Sequence, residues 1–182
     1  MKTPVTPFAA LPLTPSLIAE LRSDHAGETG AVAIYCGILR VSRNPEVIEF
    51  ARHHLRTEVR HRRFFDAWLP AEAQSRLLTV WFASGWLLGA TAALFGRRSV
   101  YTTIAAVETF VVEHYTQQIR DLAEDRRYDA LREQLEAFRA DEADHRDDAA
   151  DRHAAAGGWL ARAWRGVVGG ASAAGVALAR RF

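Results

Sequence analysis

The sequence predicts an all-α protein: one domain over residues 1–182, built as a four-helix bundle with an added apolar element and a C-terminal helix. Three observations predict it. Apolar residues recur at three- and four-residue steps through four long segments, and no segment alternates as a strand would. Helix-capping pairs punctuate those segments. Each apolar stripe carries one glutamate near its middle, a residue that a packed core excludes unless something compensates it.

The elements follow in order. Residues 1–14 read as a loose arm with no cleavable leader. Thr14-Pro15 is an N-cap followed by proline at the first helical position, and helix 1 runs to about Arg43. Asn44-Pro45 starts helix 2 by the same chemistry, to Leu69-Pro70. Residues 77–96 form an uncharged, apolar crossover, read as a helix or hairpin. Ser99 is the expected cap of helix 3, to about Glu124, and helix 4 runs from about Tyr128 to Ala156, ending at Gly157-Gly158. Residues 159–182 are a helical tail rich in small residues. The short turn between helices 1 and 2 makes them antiparallel neighbours, and the crossover leads to a second pair. That order is a ferritin-like topology.

Composition bounds the function. A chain that is 49% hydrophobic and 25% charged is globular. The formal net charge of +1 gives nucleic-acid binding no support. Cys36 is the only cysteine, so no internal disulfide forms, a reducing compartment is expected, and the thiol is read as packing.

The stripes carry the chemistry. Helix 1 gives Leu21, His25, Glu28, Val32, Tyr35 and Leu39; helix 2 gives Ile48, Ala51, Leu55, Glu58, His61 and Phe65. Helix 3 gives Tyr101, Ile104, Glu108, Val111 and Tyr115; helix 4 gives Leu131, Leu135, Phe138, Glu142, His145 and Ala149. Four inward carboxylates at one level repel each other, and two divalent cations cancel their charge. The three-residue spacing puts Glu58 with His61, and Glu142 with His145, on one face. One glutamate from each of two helices and Glu-x-x-His from each of the others is the dimetal pattern of such bundles. Glu108 is expected to bridge. A misphased stripe would leave these residues solvated instead. His25 is expected to support the site by a hydrogen bond, and Glu113-His114 to lie at a surface or substrate-side position. His53, His54, His153, Asp144, Asp147 and Asp148 are expected in solvent.

At these residues the sequence resembles a family. The stretch His25-Ala26-Gly27-Glu28-Thr29-Gly30-Ala31 is similar to the HAGE-x-GA signature of the 5-demethoxyubiquinone hydroxylases, diiron monooxygenases of ubiquinone biosynthesis. Ala106-Val107-Glu108, His114-Tyr115 and Asp141-Glu142-Ala143-Asp144-His145 are similar to its later motifs, and the likeness covers about Leu21 to Arg152. It implies two iron ions on Glu28, Glu58, His61, Glu108, Glu142 and His145. It also implies O2-dependent hydroxylation of a prenylated benzoquinol, with electrons from NADH or the quinol. His25, His114 and Tyr115 are the expected catalytic or substrate-contacting residues. Arg62-Arg63 departs from the leucine usual after the first Glu-x-x-His. Another ferritin-like diiron oxygenase or oxidase, or a non-catalytic quinone- or lipid-binding paralogue, is the alternative reading.

The crossover is long enough to span a bilayer, but glycines at 85, 89 and 96 interrupt it. It is expected to lie in one leaflet, with Trp81 and Trp86 at the interface and Arg76, Arg97 and Arg98 near anionic headgroups. A buried core helix and a dimer contact are the competing readings. The expected location is peripheral, on the cytoplasmic face of a bacterial inner membrane. The expected partners are the membrane surface, a second copy or other ubiquinone-biosynthesis proteins.

Overall fold

The computed structural model describes residues 13–152 and 159–182. Most of the expected arm, His153 and the expected Gly157-Gly158 helix end lie outside those residues. The described chain is helical, without strands: α1 (Pro15–Val41), α2 (Pro45–Trp68), α3 (Leu78–Leu94), α4 (Arg97–Asp121), α5 (Asp129–Arg152) and α6 (Trp159–Arg181).

The expected caps form. Thr14 accepts a hydrogen bond from the Leu17 amide at 3.2 Å, and Asn44 accepts one from Val47 at 3.1 Å, each with proline at the first helical turn. The expectation for Ser99 is corrected: α4 begins at Arg97, and Gly96 precedes it at φ +89°, a left-handed conformation that turns the chain sharply from α3 into α4. Tyr128 closes a 3-10 turn, and α5 starts one residue later.

Partner residues fix the topology. His25 meets Asp66, and Tyr35 meets Phe50, so α1 and α2 are antiparallel. Tyr115 against Phe138, and Tyr101 against Arg152, make α4 and α5 a second antiparallel pair. α3 is one helix, not a hairpin, and climbs parallel to α1 to reach the start of α4. Its crossing with α1 is made by backbone. A Cβ on Gly89 would collide with the Ile34 carbonyl, and one on Gly85 with the Gly30 carbonyl, so only glycine permits this approach. α6 descends along α1 and α4; Trp164 donates to Thr103 at one end, and Arg180 pairs with Glu20 at the other.

The crossover is therefore half core and half surface. Gly85, Gly89, Ala90 and Ala92 are buried, whereas Phe82, Leu87, Leu94 and Phe95 are exposed. Trp81 and Trp86, expected at a membrane interface, are both half-buried, and Trp81 donates its indole N–H to Ser75 at 3.1 Å. No helix among the described residues is long and apolar enough to cross a membrane.

Two apolar clusters stack along the bundle. One gathers Ile34, Ile38, Phe50, Tyr101 and Ile104; the other gathers Leu21, Phe65, Leu131, Leu135 and Phe138. The four stripe glutamates fall between them.

Candidate metal centre

Glu28 on α1, Glu58 on α2, Glu108 on α4 and Glu142 on α5 are all buried, at 1–4% exposure, and His61 and His145 are buried beside them. The six side chains sort into two groups whose donor atoms lie within 4.8 Å of one another: Glu28, Glu58, His61 and Glu142, then Glu58, Glu108, Glu142 and His145. Glu58 and Glu142 belong to both. Glu108, expected to bridge, reaches one group only. The carboxylates common to both groups are those of the Glu-x-x-His pairs, whose helices α2 and α5 face each other across the centre: His61 Nδ1 lies 2.8 Å from Glu142, and His145 Nδ1 lies 2.8 Å from Glu58.

These groups fit metal ions. Glu28 Oε2 is buried with no hydrogen-bond partner, and Glu58 Oε1 and Glu142 Oε2 crowd the same nitrogen, His145 Nδ1, at 2.8 and 3.2 Å, so one donor serves two acceptors. Orphaned acceptors in a dry interior are costly, and a cation satisfies several at once. Oxygen and imidazole donors suit iron, manganese or zinc.

Without a cation, protons partly compensate the charge. Burial, with the charges of Glu142 and Glu28 added, pushes Glu58 up to about 8, and burial with the charges of Glu142 and Glu58 raises Glu108 well above the ordinary carboxylate range. Burial would raise Glu142 too, but hydrogen bonds from His145 and His61 outweigh it and hold it at about 2. Burial opposes charge on the histidines, yet hydrogen bonds to the glutamates raise His61 to about 12 and His145 to about 11.

Supporting groups surround the centre. Tyr115 donates to Glu28 at 2.5 Å, and Tyr35 donates to Glu108 at 3.3 Å. Asp141 backs His61 through Nε2 at 3.0 Å. His25 is buried and bonds Asp66 at 2.8 Å, on the α2 side of α1.

Several expectations of solvated residues are corrected. His54 is buried: its Nε2 bonds Asp148 at 2.8 Å, and its ring packs on that of His145 with centroids 4.3 Å apart. Burial, with His145 nearby, lowers it to about 4. Asp148 is half-buried and also binds Arg152, whereas His53, Asp144 and Asp147 are exposed as expected. Asp24, not singled out in the sequence, is buried beside His114 at 2.9 Å.

A cavity of about 350 Å³ opens beside the centre between α1, α3, α4 and α6. The four glutamates form its floor, and Leu88, Val111, Trp164 and Val168 are among its apolar walls. Its rim includes exposed Ser84 on α3 and Val167 on α6. Asp24, His114 and Tyr115 line it, but His25 does not. Arg62 is half-buried and Arg63 exposed, both outside this lining, so the departure at 62–63 leaves the cavity untouched.

A ferritin-like bundle with two buried Glu-x-x-His pairs and two further glutamates defines the carboxylate–histidine class of helical bundles. The chain belongs to the family described as "Ubiquinone biosynthesis protein COQ7", which matches residues 16–179. It is 32% identical over 166 residues to "NADPH-dependent 3-demethoxyubiquinone 3-hydroxylase, mitochondrial" of Mus musculus, covering 89% of this chain and 76% of that protein. It is 37% identical over 131 residues to "3-demethoxyubiquinol 3-hydroxylase" of Rhodospirillum rubrum, covering 70% of this chain and 60% of that one. To "5-demethoxyubiquinone hydroxylase, mitochondrial" of Saccharomyces cerevisiae it is 32% identical over 146 residues, covering 71% and 63%. The chain thus spans less than two thirds of some of these relatives. The mouse name specifies NADPH as reductant, where the sequence suggested NADH.

Proposed function

We propose that this protein hydroxylates the ring of a demethoxyubiquinol at a diiron centre held by Glu28, Glu58, His61, Glu108, Glu142 and His145. The observation that carries this reading is the cavity: it joins the six-residue cluster to a surface, between α3 and α6, that bears exposed apolar side chains. A lipid-soluble ring can pass from a bilayer to the glutamates without crossing water.

Two iron ions, when bound, supply O2 activation. One oxygen atom enters the ring and the other leaves as water, with two electrons from a reduced nicotinamide or from the quinol. The chain's own residues do the rest. Tyr115 and Tyr35 hold Glu28 and Glu108 in place by hydrogen bonds. Leu88, Val111 and Trp164 exclude water and orient an apolar ring over the floor. His114 and Tyr115 line the space that ring would occupy.

The protein acts at a membrane surface in this reading, on the cytoplasmic face of a bacterial inner membrane. Phe82, Leu87, Leu94 and Phe95 supply apolar contact, and exposed Arg97, Arg98, Arg162 and Arg165 supply positive charge for anionic headgroups.

The test is deletion in a ubiquinone-producing host without a second hydroxylase. Demethoxyubiquinone should accumulate and be cleared by the restored gene. Unchanged ubiquinone after deletion contradicts the reading.

A further inference from the structure

The cavity holds one pair of titratable residues that the metal cluster does not use. Of its titratable lining, Glu28, Glu58, Glu108 and Glu142 belong to that cluster, and Tyr115 is bonded to Glu28. Asp24 and His114 remain. They come from different helices and meet at 2.9 Å, Asp24 Oδ1 against His114 Nε2, with the Asp24 side chain fully buried and that of His114 12% exposed.

The geometry fixes the imidazole. Nε2 faces a carboxylate, so the neutral ring carries its proton there and donates it to Asp24. Nδ1 is left with its lone pair, and among the described residues no hydrogen bond reaches it. Asp24 Oδ1 also accepts from the Gln118 amide at 2.8 Å, while Oδ2 accepts nothing. Stabilisation of the carboxylate therefore comes through Oδ1 alone, from His114 and Gln118. The ring is braced by Phe110, stacked on it at a 6.0 Å centroid distance and 9°.

We propose that Asp24 and His114 form a proton-accepting dyad for the quinol: His114 Nδ1 takes the proton of a ring hydroxyl, and Asp24 positions and charges the imidazole for it. This rests on the reading that the cavity binds a quinol. In this step the O–H bond breaks, its electron pair stays on the quinol oxygen, and the proton forms an N–H bond at Nδ1. No electron leaves the pair. The phenolate that results is richer in electrons at the ring carbon beside it, where an electrophilic oxygen is accepted. The imidazolium then holds the proton next to the centre, where reduction of O2 to water consumes protons.

The electrostatics agree. Burial works against charge on His114, but the hydrogen bond and charge of Asp24 outweigh it and lift its pKa. Burial lifts Asp24, and His114 partly offsets this. The other titratable groups facing the dyad are Glu20 on α1, Tyr115 on α4 and Arg180 on α6; α3 brings no charged residue. Glu20 and Arg180 pair with each other at 2.8 Å, so neither charge acts alone.

The test compares wild type with D24N, D24E and H114Q in the full chain. The first readout is hydroxylation of a demethoxyubiquinol analogue by iron-loaded protein across pH. His114 must be neutral to accept a proton, so wild-type turnover falls as pH drops through its pKa. D24N should lower the plateau of kcat by roughly a hundredfold, with KM nearly unchanged, and move the acid limb to lower pH. D24E should recover part of the rate, and H114Q should abolish the limb. The second readout needs no substrate: nitrogen NMR of the metal-free protein should show the Nε2–H tautomer of His114, lost in D24N. An active wild type together with a folded D24N whose acid limb and tautomer are unmoved overturns the dyad and leaves the hydroxylase standing. A wild type that shows the tautomer but makes no hydroxylated product overturns the hydroxylase reading, and with it the proposed role of the dyad.

Discussion

Tyr115 on α4 donates to Glu28 on α1, and Tyr35 on α1 donates to Glu108 on α4: each tyrosine lies two turns beyond the glutamate of its own helix and secures the other's. The exchange is unequal, at 2.5 Å against 3.3 Å. Burial, with nearby carboxylates added, raises both phenols well above their ordinary range, so both keep the proton they donate. A hydrogen bond to a carboxylate is worth about 1.5–3 kcal/mol. Tyr115→Phe should lower the stability of the metal-free protein by about that amount, and Tyr35→Phe by less. Chemical denaturation of both variants checks the order, and equal losses contradict it.

Sharing of Glu58 and Glu142 sets the stoichiometry. Wild type should hold about two metal ions per chain, as the bundle pattern requires. Glu58→Ala or Glu142→Ala should empty both positions, whereas Glu28→Ala or Glu108→Ala should leave about one, since each of these touches a single group. Elemental analysis of the purified variants reads this directly. Two ions retained in Glu142→Ala would place the metal elsewhere.

The metal-free protein should be most stable near pH 5. Glu58, His61 and His145 have folded pKa values of about 8, 12 and 11 against ordinary values of 4.5, 6.5 and 6.5, so the folded state keeps protons that the unfolded chain releases, and stability falls as pH rises from about 5 to 8. Glu142, held at about 2, works the other way: its contribution is lost as pH drops from 4.5 towards 2. Ligation requires those same protons to leave, so metal-loaded protein should gain stability over the range where the metal-free form loses it. Thermal melts of both forms from pH 4 to pH 8 test the opposition in slope; parallel curves contradict it.

The close crossing of α3 over α1 predicts a separable defect. Gly89→Ala drives a methyl into the Ile34 carbonyl, an overpacking that costs about 1–3 kcal/mol, or roughly 2–10 °C in melting temperature. The six cluster residues sit on α1, α2, α4 and α5, so metal content should stay at two. Loss of metal in a folded Gly89→Ala would tie α3 to the centre more closely than its contacts do.

Much of this was legible in the sequence. Stripe periodicity gives the four helices, and a glutamate in each stripe gives all six cluster residues, because a buried carboxylate stands out against apolar neighbours. What periodicity does not resolve is which of two adjacent residues turns inward. Leu55 fits the α2 stripe, but His54 also follows Ala51 by three and precedes Glu58 by four, and it is the one buried. Asp24 shares the inward arc with His25 in the same way. Membership of Glu58 and Glu142 in both donor groups depends on which helices face across the centre, which spacing along one helix does not encode. In α3, the four-residue step from Gly85 to Gly89 marks the face pressed on α1 and leaves Phe82, Leu87, Leu94 and Phe95 outward, a division that the uncharged run by itself does not show.

In the proposed reaction the cavity beside the glutamate cluster brings a quinol ring to O2. The most direct measurement is mass spectrometry of the product formed by iron-loaded protein, reductant and demethoxyubiquinol under heavy-isotope O2. One labelled oxygen is expected in the ring hydroxyl, with no such product from Glu142→Ala. An unlabelled hydroxyl, or a labelled product formed equally by Glu142→Ala, would contradict it.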